Sequence, residues 1–101
     1  MKHNTIKKKR IRRDCWNLDY AFYKWLRDHL PVYLKDASKF VDLEYHKFIY
    51  KGYEYTQKEL IKLLIQRLDW LDELDEWDDD YEKVRDEIHD IWKILSPAMW
   101  W

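Results

Sequence analysis

Thr56-Gln57-Lys58-Glu59-Leu60-Ile61-Lys62-Leu63-Leu64-Ile65-Gln66-Arg67-Leu68-Asp69-Trp70-Leu71 decides the fold of this chain. Its first four residues are a capping box, in which the Thr hydroxyl accepts from the backbone amide three residues on and Glu59 returns the bond. A helix therefore starts at this point. Leu60, Ile61, Leu64, Ile65, Leu68 and Leu71 recur at three- and four-residue spacing and form one apolar stripe. Leu63, Trp70, Leu74 and Trp77 form a second stripe beside it, so the helix is apolar over more than the usual arc and needs cover on two sides. The cover can be a hairpin, the region of Pro31 or a second copy of the chain, which makes a homodimer a possible partner state.

Upstream, β-branched and aromatic residues gather between Phe40 and Tyr55 around Gly52, the only glycine. A short β-hairpin turning at Lys51-Gly52 accounts for them, and a lone hairpin needs helices to pack on. Before it, Asp14 or Asn17 caps a helix carrying Leu18, Ala21, Phe22, Trp25, Leu26, His29 and Leu30. Pro31 ends or kinks that helix, with a further turn resuming before Ala37. Downstream, Asp78, Asp79 and Asp80 break the pattern and cap a last helix with a narrow stripe of Tyr81, Val84, Ile88, Ile91, Trp92 and Leu95, stopped by Ser96-Pro97. The expected fold class is mainly α: a small three-helix domain over 14–101 with a short β-hairpin between the first and second main helices.

The formal net charge of −1 hides a polarised chain. Residues 1–13 hold seven basic groups and no acid, whereas 69–90 hold twelve acids against Lys83 and Arg85. Such a block of like charge stays solvated until it meets an opposite charge, so 1–13 is read as a flexible basic arm. Lys7, Lys8, Lys9, Arg10, Arg12 and Arg13 would give nucleic-acid contact of a salt-sensitive, non-specific kind, although no stacking ring lies among them. The plainer reading is an arm that folds back on the acid of its own chain. With 47% hydrophobic and 18% aromatic residues the chain can bury a core, which excludes disorder throughout. No apolar run reaches the roughly 18 residues of a membrane span, and no apolar signal core follows the N-terminus.

Catalytic classes find little to use. One glycine cannot build a phosphate loop or a dinucleotide fingerprint. The single Cys15 forms no internal disulfide, fits a reducing compartment, and reads as a buried or partly buried thiol. Glu73-x-x-Glu76 and Glu87-x-x-Asp90 put paired carboxylates one turn apart on consecutive helices, where four converging groups would hold Mg²⁺. That pair is similar to the motifs of the all-α nucleoside triphosphate pyrophosphohydrolases, which makes such hydrolysis the alternative function. Only ten residues separate Glu76 from Glu87, and in so acidic a window a solvated face is the plainer account. Asp86-x-x-His89 resembles half of a di-iron motif whose other half is missing, so His89 is expected to be a half-exposed neighbour of the apolar stripe.

The acidic segment offers a different use. Asp72, Glu76, Asp79, Glu82, Asp86 and Asp90 would form a row of carboxylates imitating a nucleic-acid backbone, with Asp78 and Asp80 beside it. Trp70 and Trp77, seven residues apart on one helical face, would anchor a partner, although tryptophans at that spacing are more often core. Of the adjacent Trp100 and Trp101, one is expected at a surface.

Arg13-Asp14-Cys15-Trp16-Asn17-Leu18-Asp19-Tyr20, followed by an aromatic helix and a terminal tryptophan pair, resembles a set of small proteins of tailed bacteriophages. The resemblance covers residues 13–30 and the last few positions. It implies a viral product of the host cytoplasm and carries no site residues. Locally, Trp16 staples the helix start and Asp19 favours its dipole. The expectation is a non-catalytic, cofactor-free binding protein that engages a host or viral protein through its acidic, tryptophan-rich surface, inhibition being one possible outcome, with no membrane contact.

Overall fold

The computed structural model describes residues 8, 9, 11, 12, 15 and 17–99. Among them the chain runs through helix α1 (Leu18–Ala37), strands β1 (Lys47–Tyr50) and β2 (Tyr53–Thr56), helix α2 (Gln57–Glu73), helix α3 (Tyr81–Leu95) and a 3-10 turn (Ser96–Ala98). The fold is mainly helical, with a two-stranded antiparallel hairpin between the first and second of these helices. No helix of the described residues is long and apolar enough to cross a membrane.

α2 is the central element. Its capping box is complete: Thr56 Oγ1 accepts from the Glu59 N–H at 3.1 Å and Glu59 Oε1 accepts from the Thr56 N–H at 2.9 Å. The next two amides of the first turn donate outward, Gln57 to the His46 carbonyl at 3.1 Å and Lys58 to the Leu43 carbonyl at 2.9 Å. Donors that a helix start leaves without intrahelical partners are thus used to dock the preceding loop. Leu60, Ile61, Leu64, Leu68 and Leu71 are buried against Leu26 and Leu30 of α1 and Val84, Ile88, Ile91 and Leu95 of α3. Side chains of this size each contribute about 1.5–3 kcal/mol on full burial. α1, α3 and the hairpin all pack on α2 and cover its first stripe, whereas of the second stripe Leu63 and Leu74 are half-buried and Trp70 stays at the surface.

The hairpin pairs Phe48 with Tyr55 and Tyr50 with Tyr53. Its turn residues Lys51 and Gly52 both have positive φ, 51° and 80°, the backbone of a type I′ turn whose twist matches that of the strands. Tyr50 is buried, and Phe48 and Tyr55 pack against the same core. α1 starts where Asn17 Oδ1 accepts from the Tyr20 N–H at 3.2 Å and continues through Pro31 to Ala37. Leu30 and Ala37 are buried and Tyr33 and Leu34 half-buried, and this packing offsets the backbone bond that Pro31 cannot make.

Three expectations are corrected. The buried face of α1 is Tyr23, Leu26, Leu30 and Ala37, so Leu18 (64% exposed) and Trp25 (51%) lie outside it, Trp25 stacking on His29 at 4.1 Å. Cys15 is exposed rather than buried, because it precedes the capped start of α1 and shares none of its core face. Asp80 holds the N-cap position of α3 with helical φ and ψ of −84° and −11°, outside the extended backbone from which a side chain caps, and makes no capping bond, while the Asp78 carboxylate accepts from the Asp75 N–H at 2.7 Å. Of the stretch read as a flexible arm, Lys8, Lys9, Ile11 and Arg12 are helical and exposed. Lys7, Arg10 and Arg13, the staple assigned to Trp16, the cap at Asp14 and the pair Trp100 and Trp101 lie outside the described residues.

Candidate functional site

α2 stops at Glu73, and Leu74 takes an extended conformation. No basic residue occupies its last turn, where Asp69, Asp72 and Glu73 oppose the negative end of the helix dipole. The chain then makes a tight turn, the Asp75 N–H donating to the Asp78 carboxylate and the Asp78 N–H to the Asp75 carbonyl at 3.0 Å. Short acidic side chains that bond to nearby amides compete in this way with helix continuation. Trp77 consequently leaves the face it was expected to share with Trp70. It stands in the loop at 92% exposure, while Trp70 remains on α2 at 36%, with the Arg67 guanidinium 5.6 Å from its ring centre. Neither tryptophan is core.

The acidic surface divides on either side of this loop. Glu82, Asp86 and Asp90 follow one another at four-residue spacing on α3 and share a shallow groove with Asp79, Lys51 and Lys83. Arg85 lies between two of them, 3.7 Å from Glu82 and 3.6 Å from Asp86. Asp72 and Glu76 face the other way, into a cleft against α1. There the Arg27 guanidinium bridges Asp69 at 3.1 Å and Asp72 at 2.8 Å. The expected single row is therefore two surfaces joined by the Asp75–Asp80 turn, with Trp77 between them and Asp78 spent on the turn itself.

The carboxylate quartet Glu73, Glu76, Glu87 and Asp90 is not assembled. Among the described residues no group of three or more His, Cys, Asp or Glu side chains is placed to hold a metal ion. Glu76 has left the helix, and Glu87, at the base of the groove that Asp90 also lines, has both oxygens bonded to cations of its own chain. Glu87 is 7% exposed and accepts from Arg67 Nε at 2.7 Å and from Lys51 Nζ at 3.0 Å. Burial alone would raise its pKa, but the hydrogen bonds from Arg67 and Lys51 outweigh burial and hold the carboxyl below its ordinary value. This ion triad links α2, α3 and the hairpin turn and escaped the sequence reading. The signal was present: Glu87 lies three residues after Val84 and four before Ile91, on the buried face of α3.

Among the described residues His89 pairs with no carboxylate. It shares a 2.8 Å hydrogen bond with the Tyr23 hydroxyl and stacks on Phe22 at 5.8 Å, joining α1 to α3. Burial, and then the nearby Asp19, push the Tyr23 phenol up to about 12, so it keeps its proton. No family model, curated protein or solved structure matches this chain.

Proposed function

We propose that this chain is a non-catalytic binding protein whose acidic surface around Trp77 docks a basic face of a host macromolecule and competes with that face's own ligand. The bacteriophage resemblance of residues 13–30 supplies the setting, a viral product acting in the host cytoplasm. One observation carries the reading: a tryptophan 92% exposed at the tip of a turn fixed by Asp75 and Asp78. A large ring left in water gains from burial only when a partner arrives, and tryptophan is enriched among the residues that dominate interface energies. In the groove on the α3 side of this turn, Asp79 and Asp90 make no ion pair among the described residues, and Glu82 meets only Arg85 at 3.7 Å in an exposed pair that solvent weakens, so these acids remain available to a basic partner. Charge of that kind steers encounter and selects partner sign.

The test is capture from nuclease-treated bacterial lysate by the immobilised chain, by its Trp77→Ala variant and by a variant with Asp79→Asn, Glu82→Gln and Asp90→Asn. A protein retained by the parent chain and lost from both variants supports the surface. Retention that is equal on all three removes it.

A further inference from the structure

We propose that the cleft between the start of α1 and the end of α2 is a receptor for one arginine side chain of the basic partner. This inference rests on the reading that the acidic surface docks a basic macromolecule, and it names the part that reads a single cation.

The cleft holds about 280 Å³, at the lower edge of small-molecule sites, which run to roughly 300–1,000 Å³. That space suits one long side chain and is too small for a nucleotide. Leu68, Leu71 and Leu74 contribute apolar lining, against which the methylenes of an arginine can lie. Tyr20, Tyr23 and Tyr81 supply rings, which attract a guanidinium through their negative faces. Tyr23 keeps its proton and adds no charge of its own.

The charge balance selects a cation. Two cations line the cleft, and both are already matched: Lys24 by Asp28 at 2.9 Å, and Arg27 by Asp69 and Asp72. The other lining acids, Asp19, Asp75 and Glu76, make no ion pair and no side-chain hydrogen bond among the described residues. Three uncompensated carboxylates repel phosphates and other anions. They favour a planar guanidinium, which can bond two carboxylates while it stacks on a ring, over the point charge of an ammonium. The bond from the Asp75 N–H to the Asp78 carboxylate fixes the backbone of the turn from which the Asp75 side chain projects.

The experiment is a ¹H–¹⁵N NMR titration of the full chain with a short, end-capped glycine-rich peptide containing one arginine, and with the same peptide carrying neutral citrulline or lysine instead. The arginine peptide is expected to saturate at millimolar concentration, shifting the amides of residues 20, 75, 76 and 81, with citrulline silent and lysine weaker. Asp75→Asn combined with Glu76→Gln, both on exposed side chains, should weaken it about tenfold. Equal shifts from citrulline, or no saturation, overturn the proposal. Shifts confined to residues 82, 86 and 90 also overturn it while leaving the wider docking surface intact, whose own failure is read from Trp77→Ala in the capture experiment. Deleting residues 2–13 should leave the arginine affinity unchanged, and a several-fold gain would show that the chain's own arm fills the cleft and that no partner does.

Discussion

Arg67 Nε donates to Glu87 Oε2 at 2.7 Å, tying the middle of α2 to the middle of α3 at the only acid buried among the described residues. Lys51 reaches the other oxygen from the hairpin turn, so one carboxylate fixes three elements. Glu87→Gln should cost about 1–3 kcal/mol, below the cost of breaking a fully buried pair because Lys51 is half exposed. Urea unfolding followed by circular dichroism checks this through a lower midpoint at unchanged slope.

The same group sets an acid limit. Glu87 titrates below its unfolded value of 4.5, so the stability it contributes is complete above that value and is lost as pH falls through the folded one. Glu59, held down by the Thr56 amide, and Asp28, held down by Lys24, act in the same direction. The stability difference between the parent chain and Glu87→Gln should therefore be constant near neutral pH and shrink as the solution becomes more acid than 4.5. A difference that grew on acidification would contradict the assignment.

Pro31 is exposed inside α1, where it removes one backbone donor without gaining burial. Pro31→Ala should stabilise the chain by about 1–3 kcal/mol, since proline costs roughly 3 kcal/mol relative to alanine in a helix interior. A raised thermal midpoint with higher helix content is the expected readout.

The hairpin and the box beside it give a matched pair of local tests. A Cβ at Gly52 would meet nothing within 4 Å, so any cost of Gly52→Ala comes from its φ of +80°, about 1–2 kcal/mol. Thr56→Ala removes one half of the capping box and should cost about 1 kcal/mol. The backbone N–H of residue 56, the larger cause of the lowered Glu59 carboxyl, survives this change, so carboxyl-detected NMR titration should show Glu59 still below its ordinary value, with only the smaller hydroxyl contribution lost.

What could be read in the sequence was local. Thr56 and Glu59 are three residues apart and Lys51-Gly52 is a two-residue turn, so the start of α2 and the hairpin were legible from spacing alone. The end of α2 was not. Continuing its stripe from Trp70 to Trp77 assumed that periodicity persists, whereas the Asp78 carboxylate captured the Asp75 amide and turned the chain after Glu73. That one bond separated Glu76 from Glu73, split the row of carboxylates and exposed Trp77. The pairing of Arg27 with Asp72 and of Tyr23 with His89 joins residues 45 and 66 positions apart, distances over which helical period says nothing.

Trp77 tests the central claim most directly, because its side chain is 92% exposed and supports no core. The measurement is the affinity of the parent chain and of Trp77→Ala for the captured partner, alongside their unfolding midpoints. The account predicts equal midpoints and a loss of affinity of about tenfold or more, as expected for an interface anchor. Equal affinity at equal stability would contradict it.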